Sequence, residues 1–190
     1  MEQLEEQNLI EECRAGRLEK FGALYDLYAD KIYRFIYFRV RHRETAQDLT
    51  SQAFFKALEG ISGFNPSKGN FSSWLYRIAR NNLIDHWRGQ KNHFNIDQLW
   101  DLKAEDDIAG DAEVKEKIRQ VKEVLARLEN AQREIIIMKI WDGLSHKEIS
   151  QILGKSEAGV KMMFSRAMGK LRKEEILALI VIGLFLNYTI

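Results

Sequence analysis

The chain has 190 residues, 45% hydrophobic and 30% charged, proportions with which one or two soluble domains can bury a core. Its one cysteine, Cys13, excludes an internal disulfide and a cysteine-rich zinc module, and it suits a reducing cytoplasm. The net charge of +1 conceals two blocks of opposite sign. Residues 97–113 hold seven acids (Asp97, Asp101, Glu105, Asp106, Asp107, Asp111, Glu113) against Lys103, and residues 155–173 hold six bases (Lys155, Lys161, Arg166, Lys170, Arg172, Lys173) against Glu157. Blocks sorted in this way meet different partners, and the basic one suits phosphate.

Proline occurs once, at Pro66, and apolar residues recur at helical spacing, so an all-α fold is expected. The acidic start MEQLEEQNLIEEC has no apolar h-region and is not read as a secretory signal. A helix is predicted over 5–14, with Gly16 after it. A longer one follows over 18–40, where Leu24, Leu27, Tyr28, Ile32, Phe35 and Ile36 repeat at its period. After the polar break RHRET, Thr45 or a neighbour starts a third helix that reaches about Glu59. The stretch GISGFNPSKGN is a loop, and Ser72 opens a helix over 72–89. Residues 1–90 make one helical domain.

Residues 91–112 carry most of the acidic block without sustained periodicity and read as a linker. A second helical domain spans 113–174, with helices over 113–129, 131–142, 146–153 and 157–173, and Gly143 and Gly154 where helices must end. The segment 175–190 is an apolar tail whose last fifteen residues, ILALIVIGLFLNYTI, carry no charge. A helix of that length spans about 22 Å, short of the roughly 30 Å hydrocarbon core. The first reading is a tail packed on the protein or on a partner. The second is membrane contact through residues 176–190, flanked by Lys170, Arg172 and Lys173.

Two stretches carry the functional signal. In the last predicted helix, Val160, Phe164, Ala167 and Leu171 share a core face, while Ala158, Lys161, Met162, Ser165, Arg166, Gly169 and Lys173 fall opposite. The helix before it begins with a capping box, Ser145 and Glu148, and buries Ile149, Ile152 and Leu153. A tight turn at Gly154-Lys155, with Ser156 as the next N-cap, joins the two. That is helix-turn-helix spacing, and it would send the front of the second helix into a major groove. The candidate DNA contacts there are Ser156, Ala158, Lys161, Met162, Ser165, Arg166, Lys170 and Lys173. The plainer reading is a helical hairpin with a solvated basic face.

In the helix over 72–89, Arg77, Arg80, Asn81, Ile84 and Arg88 share one face, with Tyr76, His86 and Trp87 nearby. Trp74, Leu75, Ile78 and Asn82 lie on the other side. Guanidiniums neutralise phosphates, and aromatic faces stack on unpaired bases. The plainer reading is a solvated arginine face on a core helix.

The segment LENAQREIIIMKIWDGLSHKEISQILGKSEAGVKMMFSRAMGKLRK resembles region 4 of the sigma-70 family, particularly the extracytoplasmic-function (ECF) sigma factors. The matching elements are Gln132-Arg133-Glu134, Gly143-Leu144-Ser145, Glu148-Ile149, Leu153-Gly154, Ser156, Val160-Lys161, Arg166-Ala167 and Leu171-Arg172. The resemblance implies that this helix reads the minus-35 promoter element. Gly159 stands where members often have Thr or Ala, and Met162-Met163 where they often have Ser-Arg. Met162 is placed to touch a thymine methyl or a protein partner.

FGALYDLYADKIYRFIYFRV, ETAQDLTSQAFFKAL and FNPSKGNFSSWLYRIARNNLIDHWR are similar to sigma region 2 in order and spacing. This implies that Asp48, Ser51 and Gln52 dock on the clamp helices of the largest polymerase subunits. It implies that the loop over 64–70, with Asn65, Lys68 and Asn70, holds a base flipped from the minus-10 element. The face of Arg77, Arg80, Asn81 and Arg88 would then hold the opened strand. Ser51-Gln52 replaces the Gln-Glu of many relatives, so one negative charge is missing from the docking face. In this family the linker threads the polymerase toward the RNA exit path, where carboxylates can mimic RNA phosphates; the plainer reading is a solvated spacer. Together the resemblances cover roughly residues 8–174.

The expectation is therefore an all-α protein of two small helical domains joined by an acidic linker. It would be a sigma factor that binds core RNA polymerase and directs promoter recognition and initiation in the cytoplasm. Its partners would be core polymerase, promoter DNA and an anti-sigma factor. The alternatives are a stand-alone helix-turn-helix regulator and, from the tail alone, a membrane-associated signalling adaptor. No enzyme is expected and no cofactor or metal: His42, His86, His93 and His146 are scattered, Asp106-Asp107 sits in the acidic linker, and GK[ST], HExxH and GxSxG are absent.

Overall fold

The computed structural model describes residues 2–40, 42–90, 125 and 127–172. Among these residues every regular element is an α-helix or a 3-10 turn, and they group into two compact units. The linker over 91–112, Lys173, the tail over 175–190 and most of the predicted helix over 113–129 lie outside them. Arg127 and Leu128, expected at the end of that helix, are already turn.

In the first unit, α1 (Glu2–Arg14) ends before Gly16, which turns the chain at φ 95°. The predicted helix over 18–40 begins as a separate 3-10 turn, Leu18–Lys20, and α2 proper is Phe21–Val40. Phe21, Leu24, Tyr28, Ile32, Phe35 and Ile36 form its buried stripe. Leu27, expected among them, flanks the stripe and is 51% exposed.

Helix α3 (Arg43–Gly60) starts earlier than expected, because His42 rather than Thr45 caps it. The His42 Nδ1 accepts from the Thr45 backbone N–H at 3.3 Å. Ala46, Ala53 and Ala57 line its buried face and let α2 and α4 approach closely. The loop after α3 winds into two 3-10 turns, Ile61–Gly63 and Pro66–Lys68. Helix α4 (Phe71–Gln90) is capped by Asn70, whose Oδ1 accepts from the Ser73 N–H at 2.9 Å, so Ser72 does not open it. Phe64 packs on Phe71 and Trp74 at centroid separations of 5.8 and 5.2 Å, and Tyr28 on Phe71 at 5.6 Å. This aromatic knot pins the loop to the start of α4.

The second half of the chain forms α5 (Asn130–Ile140), α6 (His146–Leu153) and α7 (Glu157–Arg172). Leu125, Leu128, Ile136, Ala167 and Leu171 form a core, with Ile140, Trp141, Phe164 and Met168 against it. Gln132-Arg133-Glu134 is buried. Arg133 donates from Nε to the Leu125 carbonyl at 2.7 Å and from Nη2 to the Leu128 carbonyl at 3.2 Å, tying the incoming chain to α5. A buried guanidinium is tolerable only with such partners.

Candidate nucleic-acid interface

The α6–turn–α7 unit is built by its caps. Ser145 Oγ accepts from the Glu148 N–H at 3.2 Å, and Glu148 accepts from the Ser145 N–H at 2.8 Å, the reciprocal box the sequence predicts. Helix α6 stops at Gly154, whose φ of 64° is left-handed. The N–H groups of Gly154 and Lys155 both donate to the Ser150 carbonyl. Ser156 Oγ then accepts from the Gly159 N–H at 3.1 Å and starts α7. A Cβ on Gly159 would come within 3.0 Å of that hydroxyl, so glycine leaves room for the cap. This is a physical reason for one departure from the family pattern.

Val160, Ala167 and Leu171 are fully buried, Phe164 is half-buried, and Ile149 and Ile152 are buried on α6, while Leu153 is half-buried. Ser156, Ala158, Lys161, Met162, Ser165, Arg166 and Lys170 are all exposed, as expected; Lys173 lies outside the described residues. Two of the cations are engaged within the protein. Lys161 Nζ sits 2.7 Å from Glu157 Oε1, and this bond holds the Glu157 carboxyl below its usual range. Lys170 Nζ donates to Gln132 Oε1 at 3.2 Å and lies 4.0 Å from Glu129. His146 stands edge-on to Phe164 at 5.2 Å. Burial lowers its pKa, and the charges of Lys139 and Lys161 lower it further.

In the first unit Asn65, Lys68 and Asn70 are exposed, but the asparagines also hold the loop together. Asn65 Oδ1 accepts from the Ser67 N–H at 2.9 Å and from the Ser67 hydroxyl at 2.8 Å, and Asn70 caps α4. Along α4, Arg77, Asn81 and Arg88 are exposed and Arg80 half-buried. Two expected members of this surface are not on it. Ile84 is buried, and Tyr76 is buried edge-on against Phe35, so its ring offers no stacking face. Asp85, passed over in the sequence, is exposed one turn before Arg88, at the flank of the arginine face. His86 and Trp87 remain half-buried beside each other at 5.7 Å.

On α3, Asp48, Ser51 and Gln52 are exposed. Phe55 joins them, one turn on from Ser51 and Gln52 and 62% exposed. Its signal was its spacing: Phe55 follows Ser51 and Gln52 by one turn and shares their exposed side, while Phe54 packs in the core on Phe21.

Residues 24–93 match sigma-70 region 2, and residues 118–171 match sigma-70, region 4. Over 168 residues the chain is 33% identical to the ECF RNA polymerase sigma factor BldN of Streptomyces coelicolor, covering 87% of this chain and 64% of BldN. Over 176 residues it is 30% identical to the ECF RNA polymerase sigma factor SigW of Bacillus subtilis, covering 87% of this chain and 94% of SigW. Solved structures of CnrH, in complex with the cytosolic domain of CnrY, and of the sigma factor RpoE of Bartonella quintana, in complex with the anti-sigma factor NepR, share the fold. Their TM-scores are 0.62 and 0.59, each at 22% identity, over 87% and 84% of this chain and 93% and 98% of theirs. The chain belongs to the sigma-70 family as an ECF sigma factor, a transcription initiation factor and not an enzyme. Among the described residues no helix is long and apolar enough to cross a membrane.

Proposed function

We propose that this sigma factor divides its work among three exposed helix faces. The face of α3 with Asp48, Ser51, Gln52 and Phe55 docks on core RNA polymerase. The loop with Asn65, Lys68 and Asn70, and the α4 face with Arg77, Arg80, Asn81 and Arg88, take the minus-10 element once the strands part. The front of α7 reads the minus-35 element in duplex form. The observation that carries this is the capped three-residue turn between α6 and α7, beyond which every described candidate residue is exposed.

An anti-sigma factor is the regulatory partner that the family resemblance supports. The acidic linker in the RNA exit path and membrane contact through residues 176–190 are further proposals, supported only by charge and composition. The site of action is the cytoplasm, with the polymerase. Matches to both sigma regions speak against a stand-alone regulator.

The test compares the full chain with the Arg77/Arg80/Arg88→Ala variant on core polymerase from the same host. Both should bind core, and only the wild type should open promoter DNA. A wild-type chain that does not bind core would overturn the proposal.

A further inference from the structure

The front of α7 is poor in groups that read bases by hydrogen bonding. Ala158, Met162, Ser165 and Gly169 run down its centre at helical spacing. Three of the four are small, and a Cβ on Gly169 would meet nothing within 4 Å. Met162, 49% exposed, is the one large side chain on that line. The flanking ammonium of Lys161 is bonded to Glu157, and that of Lys170 to Gln132. Arg166 is exposed one turn on from Met162, where a guanidinium can meet a phosphate or the edge of a neighbouring base.

A base pair presents two kinds of feature in the major groove: hydrogen-bonding groups and the C5 methyl of thymine. A thioether donates no hydrogen bond and accepts only weakly, but it packs well on apolar groups. We infer that Met162 reads a thymine through its C5 methyl group and so sets an A·T preference at one position of the upstream element. This rests on the proposed role of α7 as the helix that faces duplex DNA. Ala158 and Ser165, one turn to either side, leave the helix able to seat closely enough to bury that methyl. A protein anchor is the competing use of an exposed methionine. The surrounding charge favours DNA, because Lys155, Arg166 and Arg172 are exposed around the same face.

The test assembles the full chain with its host's core polymerase and selects from a duplex library randomised across the upstream element. Selected duplexes are remade with deoxyuridine in place of each thymine in turn, which removes only the methyl. At one thymine this should weaken wild-type binding about fourfold, the effect of one buried methyl group. The same change should add nothing to the loss in Met162→Ala. Met162→Gln should shift the preference there toward adenine, whose N6 and N7 a glutamine amide can pair. Silent deoxyuridine at every position, or an undiminished penalty in Met162→Ala, overturns the inference. So does weaker assembly of Met162→Ala with core when no DNA is present, which would make Met162 a protein anchor. If no upstream sequence is selected while the chain still binds core, the DNA-reading role of α7 falls with it.

Discussion

Lys56 on α3 donates to Asn82 Oδ1 on α4 at 2.6 Å, and Asn82, only 2% exposed, reaches back with its Nδ2 to the Leu49 carbonyl of α3 at 3.5 Å. One buried amide thus fixes α3 against α4, the helix that carries the arginines. Asn82→Ala should lower stability by about 2 kcal/mol, the range for a buried polar network that loses a member. Lys56→Met should cost about 1 kcal/mol, less than Asn82→Ala, because it leaves the buried Asn82 Oδ1 without its donor while the stem of the side chain still packs. Urea denaturation of the two variants reads the difference, and equal losses would contradict the account.

Gly159 sets two effects against each other. Alanine is favoured over glycine inside a helix by about 1 kcal/mol, but its Cβ would press on the Ser156 hydroxyl at 3.0 Å. Gly159→Ala should therefore gain less than about 0.5 kcal/mol in the wild type and about 1 kcal/mol when Ser156 is already alanine. Ser156→Ala alone should cost about 1 kcal/mol through the lost cap. A double-mutant cycle by denaturation measures the coupling, and strict additivity would contradict it.

Phe55→Ala should weaken binding to core polymerase about tenfold, the effect of truncating an interface anchor. It should leave stability nearly unchanged, because the ring is 62% exposed in the free protein. Gln52→Glu, which restores the missing negative charge, should strengthen the same binding, more at low salt than at high. Titration of labelled protein with core polymerase reads both effects.

The depressed pKa of His146, caused first by burial and then by Lys139 and Lys161 and opposed by Glu157, sets a pH dependence. A histidine held below its unfolded value binds a proton less readily when folded. Its packing is therefore fully effective above the unfolded pKa of about 6.5, and stability falls as the pH drops through that value toward the lower folded one. His86, lowered by burial, acts in the same direction in the other unit. His146→Leu should lose less stability than the wild type between about pH 7 and pH 5, read by denaturation at both values. An equal loss would remove His146 from the explanation.

Where the chain itself closes its ends, the fold was legible in the sequence. The bounds of α6, the capping box, the αL glycine and the Ser156 cap all follow from local chemistry that acts within four residues. Val160, Ala167 and Leu171 were legible as core because their period is regular. The departures came where a neighbouring helix decides. Ile84 and Tyr76 lie near the arginines by helical angle, yet α4 turns both inward, Tyr76 onto Phe35 of α2. Leu27 lies at the flank of its stripe, and nothing in the period alone says how wide a stripe the neighbours will cover. His42 was missed as a cap because imidazole is an uncommon one. The exposure of most candidate residues was legible from their helical period, but not that Asn65 and Asn70 also serve as caps.

The most direct test is initiation itself. Core polymerase from the host, genomic promoter DNA and nucleotides are combined with and without the full chain, and start sites are mapped. The account predicts specific starts only when the chain is present, lost in the Arg77/Arg80/Arg88→Ala variant although that variant still binds core. Specific binding of the chain to the same DNA without polymerase, together with no change in initiation, would contradict it.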